Sequence, residues 1–93
     1  MHQAIWNDTV IAESAITISL EGNIYFPPDS LQSEHLMASS NKTTCPWKGQ
    51  ASYYDVVVKG KVNPSAAWTY PSPSPAAMEL KNYVAFWNGV RVT

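Results

Sequence analysis

Cysteine and histidine are scarce in this sequence, and their scarcity limits the chemistry of the chain. The 93 residues contain one cysteine, Cys45, and two histidines, His2 and His35. One cysteine cannot form an internal disulfide, and a structural zinc site needs several cysteine or histidine ligands. No Cys-x-x-Cys or His-x-x-x-His pair occurs. The sequence therefore predicts no disulfide, no metal site and no bound cofactor.

Charged side chains are also few, at 14% of the residues, with six basic and seven acidic groups. No run of lysine or arginine exists, so the chain lacks the electrostatic footprint of a nucleic-acid-binding protein. No apolar stretch approaches the length of a membrane helix, and the first residues do not resemble a signal peptide. We therefore expect a cytoplasmic protein without a nucleic-acid or membrane partner. Such a low charge favours an apolar patch that binds a small molecule or forms a homodimer.

Glycine is sparse as well, and its positions exclude a phosphate-binding loop. The four glycines stand at positions 22, 49, 60 and 89, too far apart for a glycine-rich cradle. The acidic residues are scattered without a paired arrangement. The sequence therefore gives no support to phosphoryl or nucleotidyl transfer.

β-Branched and aromatic residues, by contrast, are abundant, and they predict a single all-β domain spanning residues 1–93. The strongest strand pattern is at 51–59, where a nearly continuous apolar run predicts burial on both faces. Residues 16–21 alternate apolar and polar side chains as a half-buried strand does. Shorter strands are predicted at 4–6, 9–12, 24–26, 61–62, 66–70, 83–87 and 90–92. Many short strands indicate an antiparallel sandwich or a barrel-like fold.

Turn and loop signals separate these strands. Residues 35–43 are rich in Ser, Asn and Thr without any period, and they are predicted to form the longest loop. Asn63-Pro64-Ser65 either breaks the pairing of the strand that begins at residue 61 or starts a single helical turn. Residues 76–81 give the one convincing helix pattern. Tight hairpin turns are predicted at three dipeptides that tolerate a positive φ: Asn7-Asp8, Gly22-Asn23 and Asn88-Gly89. The similar patterns before the first and last turns suggest that both chain ends lie in one sheet system.

Aromatic side chains beside strand ends are the best candidates for a site. The central segment Cys45-Pro46-Trp47-Lys48-Gly49 lies where a loop enters the strongest strand, and such junctions often carry function. Rings supply stacking surfaces, and tyrosine hydroxyls or indole N–H groups supply direction. The candidate ligand-binding residues are Tyr25, Cys45, Trp47, Lys48, Tyr53, Trp68 and Tyr70.

Four motifs along the chain carry a family resemblance: Tyr25-Phe26-Pro27, Cys45-Pro46-Trp47-Lys48-Gly49, Ala67-Trp68-x-Tyr70 and Val84-Ala85-Phe86, in that order. On these motifs the chain resembles the domain of unknown function 427 family from Ile5 to Val92. Members of that family are small bacterial and fungal proteins, sometimes labelled nucleotidyltransferase-like. The resemblance implies a β-tent architecture, in which two antiparallel sheets meet at an angle, with one or two short helices.

Three functional hypotheses follow, and the residues favour a binding protein over an enzyme. The first is a small β domain that binds a small molecule in an aromatic-lined cleft, with Lys48 contacting an anionic or carbonyl-bearing group. The second is a thiol-dependent enzyme or redox protein that uses Cys45, with Lys48 favouring the thiolate. A catalytic cysteine normally needs a base or a second thiol, and neither is evident. The third is a structural or self-associating protein without a ligand.

Overall fold

The structure is a computed structural model that describes all residues, 1–93, and the mainly β, antiparallel architecture is confirmed. The strands form three sheets rather than two, with the orders β2-β1-β9, β3-β4 and β5-β6-β7-β8, and no sheet closes into a barrel. The nine strands are β1 (His2–Trp6), β2 (Thr9–Ser14), β3 (Ile18–Leu20), β4 (Asn23–Tyr25), β5 (Leu36–Cys45), β6 (Gly49–Val58), β7 (Lys61–Thr69), β8 (Val84–Phe86) and β9 (Arg91–Val92).

Left-handed backbone conformations at the hairpin tips match the twist of the strands that they join. Asn7 and Asp8, between β1 and β2, have φ values of 50° and 59°. Two consecutive positive φ values are typical of the type I′ turn, which suits a two-residue hairpin. The turn between β3 and β4 has the same form, with φ values of 53° at Glu21 and 80° at Gly22. It lies one residue before the predicted Gly22-Asn23 pair.

The strands of the four-stranded sheet contribute to two hydrophobic clusters, one on each face. In β8, Val84 and Phe86 belong to the first cluster and Ala85 to the second, which follows the alternation of a strand. The first cluster also contains residues of β1 and β2, so it lies between that sheet and the four-stranded one. The second cluster includes Tyr25 and Leu80 and is packed against β3. This two-sided burial is what the apolar run at 51–59 predicts.

The β3–β4 hairpin is attached to the four-stranded sheet through the residue that follows β4. Phe26 exchanges two backbone hydrogen bonds with Val84, with N···O distances of 2.8 and 2.9 Å. Alternation along β4 then places Ile24 and Phe26 in the first cluster and Tyr25 in the second. The hairpin therefore stands beside β8 and presents Tyr25 on the face of the second cluster.

The two chain ends meet in one sheet, because β9 pairs with β1 and Thr93 N donates to Gln3 O over 3.0 Å. The Asn88-Gly89 turn forms, with φ values of 54° and 91°. The prediction that it closes a hairpin is wrong, since β8 pairs with β7 and β9 with β1. The far edge of β8 is already occupied by Phe26, which leaves β9 to pair elsewhere.

The segment predicted as the longest loop, residues 35–43, is mostly a strand, and that prediction is wrong. β5 is the edge strand of its sheet and pairs with β6, with an irregularity between Ala38 and Lys42. None of its residues is fully buried. Only its first and last residues, Leu36 and Cys45, pack against the hydrophobic clusters. Polar residues therefore occupy both faces between them, and the alternation that marks a half-buried strand is missing.

The helical content consists of 3₁₀ segments only. Two single turns, Pro28–Ser30 and Ser33–His35, connect β4 to β5. The predicted helix at 76–81 is a 3₁₀ segment, Pro75–Leu80, which is kinked at Ala77 (φ −124°, ψ 21°). A proline at its start and the burial of only Ala77 and Leu80 leave no repeating apolar stripe to extend an α-helix.

The predicted break at residues 63–65 is a bulge inside a continuous strand. β7 runs without interruption, and its register against β6 shifts between Tyr54 and Val56. Ser65 takes the left-handed conformation (φ 52°) and its N–H donates to Asp55 Oδ1 over 2.8 Å. The Asp55 carboxylate thus replaces the ladder bond that the bulge removes.

The loop between β5 and β6 is fixed by the proline-rich segment that follows β7. Cys45 pairs with Gly49, so the loop has three residues. Ser74 N donates to the Lys48 carbonyl over 3.0 Å, and the Ser74 hydroxyl donates to the carbonyl of Trp47. Gly49 has a φ of +109°, and a Cβ there would lie 3.3 Å from Ser74 N. Glycine at this position therefore permits the close approach that holds the backbone of Lys48.

Replacing Gly49 by alanine is expected to lower the free energy of unfolding by about 2 kcal/mol, because a methyl group crowds Ser74 in addition to the strain of the positive φ. Gly22→Ala is the control, since Gly22 also has a positive φ (80°) but faces open space. It should cost about 1 kcal/mol. Urea denaturation followed by tryptophan fluorescence measures the free energy of unfolding of both variants. Equal losses in the two variants would contradict the idea that Ser74 leaves no room for a side chain at residue 49.

Candidate functional site

A cleft of about 260 Å³ opens on the face of the four-stranded sheet that carries the second cluster, beside the β3–β4 hairpin. Separate parts of the chain contribute to it: β4, the β5–β6 loop, β6, β7 with the residue after it, and the residue after β8. Aromatic rings dominate the lining, with one amide and one ammonium group. The lining residues are Asn23, Tyr25, Lys48, Tyr53, Trp68, Tyr70 and Trp87.

Trp68 is the central ring of the cleft. Its centroid lies 6.2 Å from that of Tyr25 and 6.5 Å from that of Trp87, with interplanar angles of 90° and 82°. Such edge-to-face contacts stabilise both ring pairs. Trp68 Nε1 donates to the Tyr25 hydroxyl over 3.3 Å, and Trp87 Nε1 donates to the Ser65 carbonyl over 2.7 Å. Both indoles are therefore oriented, while Trp87, at 53% exposure, keeps an open ring surface.

Lys48 is the one charged residue of the lining, and it is buried. Its ammonium group donates to the carboxylate of Glu21 at the tip of the β3–β4 hairpin. Nζ also lies 5.2 Å from the ring centroid of Trp47 and 5.9 Å from that of Tyr70. Burial lowers the pKa of Lys48, but the hydrogen bond with Glu21 and the nearby Tyr25 and Tyr70 outweigh it, so the pKa is raised. The ammonium group therefore stays protonated at neutral pH.

Tyr70 stands against this ammonium group with its hydroxyl unbonded within the protein. The tyrosine hydroxyls that form internal hydrogen bonds are those of Tyr25, which accepts from Trp68, and of Tyr53, which pairs with Thr43 Oγ1 at 3.0 Å. Burial raises the pKa of Tyr70 to about 12, although the positive charge of Lys48 acts in the opposite direction. Tyr70 is therefore a neutral donor in the cleft at neutral pH.

Five of the seven residues predicted for the site line this cleft: Tyr25, Lys48, Tyr53, Trp68 and Tyr70. Trp47 does not line it, because the three-residue loop turns its ring outward to 41% exposure, where it covers the ammonium group of Lys48. Cys45 is half-buried and packs against the second cluster. The structure thus brings five of the residues together, while their role in binding stays a prediction.

Two lining residues, Asn23 and Trp87, are absent from the predicted set. Trp87 follows β8 directly and precedes the Asn88-Gly89 turn, so the same strand-junction criterion that selects Trp47 also selects Trp87. Its sequence context is similar to that of Trp6, which packs against the first cluster, so the sequence does not distinguish the tryptophan of the cleft from the tryptophan of the core. Asn23 begins β4 beside a tight turn, and no pattern in the sequence separates it from an ordinary turn residue.

The surroundings of Cys45 contain no histidine partner. His35 Nδ1 hydrogen-bonds to the Val57 carbonyl at 2.9 Å, and His2 Nδ1 hydrogen-bonds to the Thr93 carbonyl at 2.7 Å. No group of three or more His, Cys, Asp or Glu side chains is arranged to hold a metal ion. No helix has the length and apolar character needed to cross a membrane.

A second cleft of about 310 Å³ adjoins the first and shares Tyr53 and Trp87 with it. Four of its six lining residues have polar side chains, and several of these bond to one another. Asn41 Nδ2 donates to Ser65 Oγ over 2.6 Å, and Thr43 Oγ1 bonds to the Tyr53 hydroxyl.

Titration of Tyr70 is expected to weaken the fold in alkali. The tyrosine proton leaves the unfolded chain at an ordinary pKa of 10.0 but leaves the folded protein at about 12. The stabilisation is complete below pH 10 and is lost as the pH rises toward 12, by about 2 kcal/mol. Lys48, whose pKa is also raised, adds a loss of the same sign.

Tyr70→Phe is the matched variant, because it removes the proton and leaves no internal hydrogen bond broken. Urea unfolding, measured at a series of pH values, should give nearly equal stabilities for both proteins below pH 10 and a smaller alkaline loss for the variant. If the stabilities of the wild-type protein and of Tyr70→Phe fell in parallel up to pH 12, the burial of the Tyr70 side chain would be contradicted.

Comparison with known proteins supplies a family and no activity. A sequence profile described as a domain of unknown function (DUF427) matches residues 2–93 of the chain. No curated protein sequence matches it. Since the match extends over nearly the whole chain, this protein is a member of the family described as the domain of unknown function DUF427.

Proposed function

We propose that this domain binds a small molecule in the aromatic cleft. The observation that carries the proposal is the convergence of five rings and the Lys48 ammonium group on one cleft of about 260 Å³. These side chains come from strands of two sheets and from three connecting segments. A cleft lined by rings, with a few polar groups at defined positions, is typical of small-molecule sites.

The needs of the hydrophobic core do not account for all of these rings. The first cluster is closed by Phe26 and Phe86, which contact edge-to-face at 5.7 Å and are both buried. In the cleft, by contrast, Trp87 is half exposed, and the hydroxyl of Tyr70 has no partner in the protein. Open ring faces and free donors cost stability unless another molecule or water satisfies them.

The size of the cleft favours a ligand smaller than a typical drug molecule, whose pockets usually exceed about 300 Å³. The ring surfaces favour a flat ligand that can stack. Binding rather than thiol catalysis is favoured because Cys45 lies outside the lining and both histidines bond to backbone carbonyls.

Trp87→Ala is expected to weaken binding of a ligand in this cleft by about fivefold, because it removes the most open stacking surface. A library of small planar compounds, screened by the chemical shifts of the tryptophan indole N–H groups, would supply the ligand. Signals of Trp68 and Trp87 should move, while that of Trp6, in the first cluster, should not.

Trp47→Ala provides the matched control, since it removes an exposed indole that does not line the cleft. Its effect on the dissociation constant should be smaller than that of Trp87→Ala. A library that moves no cleft signal, or variants that rank in the opposite order, would contradict the proposed site.

Self-association is a second candidate, favoured by the open edge of β5. This ten-residue strand has a partner on one side only, and Met37 on it is 57% exposed. An unpaired edge strand is a template for pairing with another chain. Light scattering at increasing protein concentration tests this candidate, and a constant monomer mass would exclude it.

A further inference from the structure

We propose that the ligand of the aromatic cleft carries a carboxylate or a similar anionic oxygen group, and that this group replaces the carboxylate of Glu21 as the partner of Lys48. The inference rests on the proposed binding function and adds the charge class of the ligand. In the free protein, the carboxylate of Glu21 would then occupy the position beside Lys48 that the anionic group of the ligand takes in the complex.

Donors predominate among the unbonded polar groups of the cleft, and the amide of Asn23, which both donates and accepts, is the exception. The Tyr70 hydroxyl makes no internal bond, and the Tyr25 hydroxyl accepts from Trp68 and so keeps its own proton free. The Lys48 ammonium group has three N–H donors and bonds to one carboxylate. A neutral ligand with a single acceptor cannot satisfy these donors as well as an anionic group with two oxygens.

The cleft already holds a cation of its own. The ammonium group of Lys48 lies against the rings of Trp47 and Tyr70, at 5.2 and 5.9 Å from their centroids. A cationic ligand would compete with Lys48 for the Tyr70 ring and would be repelled by its charge. The same rings and donors therefore select against amines and favour anions.

The partner of Lys48 is held less firmly than Lys48 itself. The Lys48 backbone is fixed by the hydrogen bond from Ser74, and its side chain is 9% exposed. The Glu21 side chain is 48% exposed, at the tip of a two-stranded hairpin. A carboxylate on such a tip can withdraw into water, where its charge is well solvated, while the ammonium group keeps its position.

Glu21 reaches Lys48 from a left-handed turn position. It occupies the first turn position with a φ of 53°, and Lys59 has the same φ in the β6–β7 turn. The conformation is therefore not specific to Glu21. What distinguishes Glu21 is that its side chain contacts the ammonium group of Lys48.

Benzoate, benzamide and benzylamine test the charge class, because they share a flat ring and differ in the charge of one substituent. Titrations followed by the indole N–H shifts of Trp68 and Trp87 should show benzoate binding more tightly than benzamide, and benzylamine binding most weakly. In Glu21→Gln, which removes the competing carboxylate, benzoate should bind about fivefold more tightly, the effect expected for a half-exposed ion pair. The affinity for benzamide should stay unchanged.

Glu79→Gln is the control for net charge, since Glu79 is exposed on the Pro75–Leu80 segment and outside the lining. It should leave all three affinities unchanged. Glu21→Asn is a second variant, because asparagine suits the left-handed turn and also lacks a carboxylate. It keeps the test valid if the Glu21→Gln hairpin is disordered.

The outcomes separate the charge class from the binding function. Equal binding of benzoate and benzamide at Trp68 and Trp87, unaffected by Glu21, would overturn the anionic class and leave the aromatic cleft as a binding site. Preference for benzylamine would overturn it as well. Failure of all three probes to move either indole signal at millimolar concentration would count against the site itself.

Discussion

Two-sided burial of the four-stranded sheet is the constraint on which the rest of the structure depends. Residues that alternate along β6, β7 and β8 must fill two clusters, so each strand needs apolar side chains at successive positions. The adjacent Tyr53 and Tyr54 illustrate the result: Tyr54 packs against the first cluster, while Tyr53 faces the second and reaches the cleft. A shift of one residue in this register would exchange core and cleft rings.

The first cluster stabilises the fold, whereas residues of the second cluster both stabilise the fold and line the aromatic cleft. Its buried members Tyr25 and Tyr70 also line the cleft, and Tyr25 supports Trp68 by an edge contact and a hydrogen bond. The Ser72–Ser74 segment packs against Gly49 and holds the backbone of Lys48. The rings are therefore positioned by contacts with one another, and the backbone of Lys48 by the Ser72–Ser74 segment, all of which exist without any ligand.

The sequence predicts the turns and strands that depend on local residue patterns. It does not predict the features that depend on which distant strands pair. The Asn7-Asp8 turn and the apolar run of β6 follow from residue type, and both are found as predicted. β5 is not predicted as a strand because an edge strand that packs against the core only at its two ends has the composition of a loop. The Asn88-Gly89 turn is correctly predicted, yet its strands separate because Phe26 already occupies the edge of β8. Five of the residues predicted for the site line the aromatic cleft, whereas the exposure of Trp47 depends on the direction of the three-residue loop.

The β3–β4 hairpin is attached differently at its base and at its tip. At its base, two backbone hydrogen bonds between Phe26 and Val84 lie within the first cluster, shielded from water. At its tip, the hairpin is attached through the Lys48–Glu21 ion pair, which is the one salt bridge of the chain and is half open to solvent on the Glu21 side. Buried backbone bonds persist, while a half-exposed ion pair contributes little and can be exchanged. An anionic ligand that takes over Lys48 would therefore release the tip alone, and the base would keep Tyr25 in the wall of the cleft.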